Sequence, residues 1–122
     1  MQHNQVFIND EDIIEIVVQG DQTVHSIQAM STAALELAAS QRAAGKPVTL
    51  LDNLLGMGDV PPEGRKLVVD LLKSNEYDKL AMLGANNILR FGANLILQAT
   101  GKSAQAKYFD DREKCISWLL EV

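Results

Sequence analysis

Residues 48–70, VTLLDNLLGMGDVPPEGRKLVVD, decide the fold of this chain. The first eight, residues 48–55, form a largely apolar run with the length of a buried β-strand. From residue 63 onward, apolar positions recur as they do on one side of an α-helix. Glycines, prolines and acids separate the two runs and mark a turn. A strand, a turn and a helix in this order predict the repeating unit of an α/β protein.

The rest of the sequence continues this alternation. An acidic turn joins the first two predicted strands, which we expect to pair as an antiparallel hairpin. Asp21 or Thr23 is the expected cap of the first helix, and Gly45 with Pro47 ends it. The other predicted strands lie at residues 5–9, 13–20, 78–84 and 105–110, and the other predicted helices at 24–44, 86–101 and 111–121.

The resulting order is β-β-α-β-α-β-α-β-α. Strands that alternate with helices favour a mixed, mainly parallel sheet with right-handed crossovers and four main helices. The first hairpin supplies the antiparallel edge. No linker, low-complexity tract or tandem repeat interrupts the pattern, so we expect residues 1–122 to form a single α/β domain.

Composition narrows the classes of function. The net charge is −5 and no segment carries a run of bases, which argues against nucleic acid and against charge-driven membrane binding. No stretch approaches the roughly 18 apolar residues of a membrane span. The first ten residues lack the features of a signal peptide. Cys115 is the only cysteine, so no intrachain disulfide can form, and we expect a cytoplasmic protein.

The glycine-rich turn does not match a phosphate-binding loop. Five residues separate Gly58 from Gly64, and no Gly-x4-Gly-Lys-Ser/Thr pattern is present. Two consecutive prolines each remove a backbone N–H donor, and Asp59 and Glu63 would repel a phosphate. We therefore expect a structural turn, in which Asp59 or its neighbour caps the helix, a proline occupies its first turn, and Glu63 lies at its positive end.

Residue types that carry catalysis or bind metals are not clustered in the sequence. His3 and His25 have no cysteine or second histidine at ligand spacing. No Gly-x-Ser-x-Gly motif occurs. Cys115 lies on the apolar side of the last predicted helix together with Trp118, which favours a buried and unreactive thiol. We expect no catalytic residues, no metal site and no cofactor.

The helix predicted at residues 86–101 carries one polar stripe on an otherwise apolar surface. The simpler interpretation of that stripe is a solvated side of the helix. The surplus of apolar residues leaves open a contact with a protein partner, another subunit or a hydrophobic ligand. The candidate residues for such a contact are Asn86, Arg90, Phe91 and Asn94.

Three stretches together resemble the STAS domains (sulfate transporter and anti-sigma-factor antagonist), and most closely the bacterial SpoIIAA-like family. They are KLAMLG at 79–84, AKYFDDREKCISWL at 106–119 and IIEIVVQGDQT at 13–23. The resemblance covers essentially the whole chain. It implies a small α/β domain with a central sheet of four or five strands and four helices.

The resemblance also suggests a function for the turn at residues 58–64. In the anti-sigma-factor antagonists, the matching loop reads Asp-Ser-Ser/Thr-Gly, and a kinase-type anti-sigma factor phosphorylates its serine. Asp59 and Gly64 match the aspartate and the glycine, but Val60, Pro61, Pro62 and Glu63 stand between them. The serine or threonine that accepts the phosphate in those proteins is absent from this loop.

Taken together, these observations predict a non-enzymatic interaction or regulatory domain in a bacterial cytoplasm. The resemblance implies a protein partner, for which an anti-sigma-like regulator is one candidate. A homodimer and a hydrophobic small-molecule ligand remain open, the latter because SpoIIAA-like proteins resemble Sec14-type lipid-binding domains in fold. The expected partner contacts are Met57, Asp59, Val60, Glu63, Arg65, Lys66 and Asp70.

Overall fold

The computed structural model describes residues 4–73, 77–84 and 105–121. Within them, five strands and three helices follow the predicted order. The strands are β1 (Gln5–Ile8), β2 (Ile14–Gly20), β3 (Thr49–Met57), β4 (Lys79–Leu83) and β5 (Ala106–Phe109). The helices are α1 (Val24–Ala43), α2 (Pro62–Lys73) and α3 (Arg112–Leu120). The helix predicted at residues 86–101, with Asn86, Arg90, Phe91 and Asn94, lies outside the described residues.

All five strands belong to one sheet in the order β1-β2-β3-β4-β5. β1 pairs antiparallel with β2, and each later strand pairs parallel with the strand before it. The predicted hairpin and the mixed, mainly parallel sheet are therefore confirmed.

Both sides of the central strands are buried, which explains the nearly continuous apolar sequence of β3. Leu50 packs toward the side that α1 covers through Ala34 and Ala38. The next residue, Leu51, packs toward the opposite side, against Cys115 of α3. The side chains buried with Leu50 include Ile14, Ile16, Leu54, Leu80 and Met82, and those buried with Leu51 include Ile13, Ala81, Leu83 and Leu119.

The ends of the helices follow the capping rules, with one difference. Thr23 caps α1 in a reciprocal box with Ser26, and Asp111 caps α3. Pro61, however, occupies the cap position of α2, because its carbonyl accepts the first helical hydrogen bond from Arg65 N–H at 3.0 Å. The prediction that Asp59 or its neighbour caps α2 is therefore wrong, and the backbone N–H and carbonyl of Asp59 bond to Asp21 and Gln22 instead.

Cys115 is fully buried, as predicted. Burial raises the pKa of its thiol to about 11, which keeps it protonated and unreactive near neutral pH.

Two further features concern only the described ranges. None of their helices is long and apolar enough to cross a membrane. Their His, Cys, Asp and Glu side chains form no group of three that could hold a metal ion.

Candidate functional site

The predicted contact surface lies where β2 and β3 end. These strands run in parallel, and Gly20 at the end of β2 is in register with Met57 at the end of β3. The segments at these two ends, residues 20–23 and 58–61, are therefore neighbours at the carboxyl edge of the sheet. We call these two segments the loop pair.

Three hydrogen bonds hold the loop pair together. Gly58 N–H donates to the Gly20 carbonyl at 2.8 Å, and Gln22 N–H donates to the Asp59 carbonyl at 2.8 Å. Asp59 N–H donates to the Asp21 carboxylate at 2.8 Å. Because the bonds run in both directions, neither segment can move far without the other.

Gln22 anchors the loop pair to the rest of the domain. Its side chain is buried, and its amide nitrogen donates to the carbonyls of Gln19 and Gly20, each at 2.9 Å. Its amide oxygen accepts from Asn4 at 2.8 Å and from the Ser26 hydroxyl at 2.9 Å. This one side chain thus links the start of β1, the end of β2 and the start of α1.

Two glycines are required by close approach rather than by unusual backbone angles. A Cβ on Gly58 would collide with the Asp21 carboxylate and would lie 3.0 Å from the backbone carbon of Gly20. A Cβ on Gly64 would lie 2.6 Å from the Ile27 side chain, so the absence of a side chain lets α2 pack closely on α1.

Gly58→Ala is expected to lower the free energy of unfolding by about 1–3 kcal/mol, because the loop pair must separate to admit a methyl group. Gly56→Ala is the matched control, since its added Cβ would meet only ordinary contacts at 3.8 Å. Urea unfolding of both variants measures the difference. Equal stability of the two would show that the loop pair is not tightly joined.

Most predicted contact residues are exposed near the loop pair and along α2. Arg65 also donates from Nε to the Val60 carbonyl at 3.3 Å. Met57 is half-buried and packs against the core. The prediction that Val60 contacts a partner is wrong. Val60 is only 7% exposed, and its side chain lies beside Gly64, out of reach of a partner. The exposed residues are Asp59, Glu63, Arg65, Lys66 and Asp70.

Asp52 is a polar residue that the sequence analysis did not single out. It lies half-buried in β3 between Ile16 of β2 and Met82 of β4, on the side of the sheet that α1 covers. Burial raises the pKa of its carboxyl to about 7. Burial and the Asp52 carboxylate also raise the pKa of Tyr77, which is buried in the apolar cluster that contains Leu50 and Leu54. The sequence did carry a signal for this residue, because Asp52 is spaced two residues from both Leu50 and Leu54 and so lies on their side of the strand.

A second missed feature joins β2 to α3 on the other side of the sheet. Glu15 is 4% exposed and receives two hydrogen bonds from the Arg112 guanidinium, at 2.6 and 2.8 Å. Asn9 donates a third at 3.1 Å. The Arg112 hydrogen bond holds the pKa of Glu15 below its ordinary value despite the opposing effect of burial. We call Glu15 and Arg112 the ion-pair clamp.

This sheet, with its amino-terminal hairpin and parallel βα units, has the arrangement of a SpoIIAA-like fold. The assignment agrees with the crystal structure of an uncharacterized DUF3478-family protein with a SpoIIAA-like fold from Shewanella loihica PV-4. The two align with a TM-score of 0.66 over 95% of this chain and 91% of that one, at 15% sequence identity. No protein-family model and no curated protein matches the chain. At this identity the similarity shows the fold alone.

Proposed function

We propose that the chain is a non-enzymatic protein-interaction or regulatory domain of a bacterial cytoplasm. It binds a protein partner through the loop pair and the exposed side of α2. The observation that carries the proposal is the set of hydrogen bonds that joins the two loops, because they hold exposed charged residues on a surface formed in advance. A surface that does not have to be ordered on binding loses less entropy when a partner docks.

The charge pattern of this surface supports a protein partner. Asp59 and Glu63 precede Arg65 and Lys66 in the chain, and all four are exposed. A partner with the opposite order of charges would be steered into one orientation, and partners with like charges would be disfavoured. Mixed charges of this kind do not form the basic surface that nucleic acids require.

The order of the strands also supports binding rather than small-molecule chemistry. Crevices for nucleotides in open α/β sheets form where the strand order reverses. The described strands β2 to β5 follow one another in a single direction without a reversal.

Regulation in this proposal does not use the family's phosphorylated serine. Residues 58–64 contain no serine, threonine or tyrosine, so a switch that phosphorylates a hydroxyl group cannot operate in this loop. Glu63 lies in the first turn of α2, where its negative charge interacts favourably with the positive end of the helix dipole. This interaction is enough to explain Glu63, without a role as a permanent substitute for phosphoserine.

Asp59→Lys tests the surface. The backbone N–H and carbonyl of Asp59 keep their hydrogen bonds, while the exposed side chain reverses its charge. We expect a captured protein partner to bind about tenfold more weakly, which corresponds to about 1.4 kcal/mol. Quantitative affinity capture from lysate of the source cells, followed by titration of the captured protein, measures the effect.

Glu36→Lys is the control for this experiment, because it makes the same charge change at an exposed position far along α1. Arg65→Glu is expected to weaken binding as well. Unchanged capture by both loop variants, with circular dichroism spectra like the parent's, would show that the partner binds elsewhere.

The alternative function, binding of a hydrophobic small molecule, depends on the helix predicted at residues 86–101. Those residues lie outside the described part of the chain, so this alternative stays a prediction of the sequence.

A further inference from the structure

The outer edge of β1 presents backbone groups that no described strand pairs with. Asn9 N–H donates to the Ile13 carbonyl at 2.9 Å, so the backbone of Asn9 faces β2. In an antiparallel pair, every second residue directs its backbone N–H and C=O groups toward the neighbouring strand. Phe7, two residues before Asn9, therefore also bonds toward β2. Ile8, which lies between Phe7 and Asn9, and Val6, which precedes Phe7, therefore direct their N–H and C=O groups outward.

This edge lacks the features that usually prevent strands from associating. Natural edge strands carry charged residues, prolines or bulges that block pairing. β1 reads Gln-Val-Phe-Ile and has none of these, whereas β5 at the opposite edge carries the exposed Lys107. Phe7 and Ile8 are 38% and 37% exposed, which is high for large apolar side chains.

We propose that a second copy of this chain binds at the β1 edge, so that the two β1 strands pair antiparallel about a two-fold axis through Phe7. In this register, Val6 of one protomer lies opposite Ile8 of its partner, and Ile8 lies opposite Val6. The outward N–H and C=O groups of both residues then form four hydrogen bonds. Between these two hydrogen-bonded pairs, the two Phe7 residues form a non-hydrogen-bonded pair with Cα atoms about 4.5 Å apart, so their side chains meet.

The identity of the occupant follows from this self-complementarity. The same two residues supply donors and acceptors on both strands, as an interface with two-fold symmetry requires. The register also avoids repulsion between two acidic chains, because residues 4–9 carry no charge. The acidic turns at Asp10 lie on opposite sides of the axis, about 20 Å apart along the strands. That distance exceeds the Debye length of about 8 Å at physiological salt.

A groove beside β1 would become part of the same interface. It has a volume of about 300 Å³ and lies between β1 and α1, where Val6 and Met30 are bordered by small side chains. In a continuous sheet of two copies, the two α1 helices lie on the same side of the seam. Ala29 and Ala33 leave room there for close packing of the two helices.

Sedimentation equilibrium of the full chain, from micromolar to millimolar concentration, tests the dimer. We expect the parent to dimerise and Phe7→Lys to weaken dimerisation at least about tenfold, because two like charges then lie directly opposite each other. Leu35→Lys is the matched control. Leu35 is 39% exposed on the flank of α1 away from the groove, and its replacement should leave the dimer intact.

Amide hydrogen exchange of the parent gives a second readout that needs no variant. Protection of the Val6 and Ile8 amides should rise with protein concentration, while Phe7, already bonded within the protomer, should be protected throughout. A parent that stays monomeric at millimolar concentration overturns the proposal. So does a dimer that Phe7→Lys leaves unchanged, or exchange at Val6 and Ile8 that does not depend on concentration.

Discussion

Arg112→Ala is expected to lower the free energy of unfolding by about 1–3 kcal/mol. Glu15 is 4% exposed in the parent, and the variant leaves its carboxylate with only the Asn9 amide at 3.1 Å as a described side-chain donor. Loss of one partner of a fully buried ion pair costs about 3–5 kcal/mol. The expected value is smaller because the Arg112 side chain is 44% exposed, so water screens the interaction.

Urea unfolding near pH 7 measures this effect, with Lys114→Ala as the control because Lys114 is exposed on the same helix. The double variant Glu15→Gln/Arg112→Ala should recover part of the loss, since it removes the uncompensated charge. Stability of Arg112→Ala equal to that of the control would show that the ion-pair clamp contributes nothing.

The clamp also predicts a dependence on pH. Because Arg112 holds the pKa of Glu15 below its ordinary value, the native state retains the carboxylate where the unfolded chain binds a proton. The stabilisation is therefore present above the ordinary pKa of 4.5 and is lost as the pH falls through the lower folded pKa. Arg112→Ala should reduce this acid-dependent loss.

Asp52→Asn is expected to stabilise the domain by about 1–3 kcal/mol above pH 7. The pKa of Asp52 rises from 3.8 to about 7, so between these values the native state holds a proton that the unfolded chain has released. Stability of the parent therefore falls as the pH rises through this window and stays reduced above it. Asparagine has nearly the same shape and carries no charge at any pH.

Chemical denaturation at about pH 5 and about pH 8 checks the sign of this effect. The parent should lose stability between the two, and Asp52→Asn should lose less. Asp70→Asn removes an exposed carboxylate and serves as the control. A parent that gains stability toward pH 8 relative to Asp52→Asn would mean that the Asp52 carboxylate has a favourable partner in the native state.

The sequence predicted the features that local patterns encode. The hairpin, the apolar β3, the cap of α1 (Thr23, one of two candidates) and the buried Cys115 each follow from periodicity or from capping rules within a few residues. The resemblance to SpoIIAA-like proteins added the fold, which the structural comparison confirmed. The function, the partner and the cellular location remain predictions.

Features that depend on distant residues could not be predicted. Glu15 and Arg112 are 97 positions apart, and Asp21 and Asp59 are 38 apart. Neither strand periodicity nor helix spacing states which residues meet across a sheet or between two loops. Val60 was predicted to contact a partner, but it is only 7% exposed and its side chain lies beside Gly64, where α2 packs closely on α1.

The strand order has a consequence for how the chain can be synthesised and folded. Each described strand after β1 is added beside the strand that precedes it, so no later strand has to insert between two earlier ones. Strands β1 to β3 can therefore pair in the order in which they are synthesised, without a gap being left for a later strand. The ion-pair clamp connects β2 to α3, so it can close only after Arg112, 97 positions later in the chain than Glu15, has been synthesised.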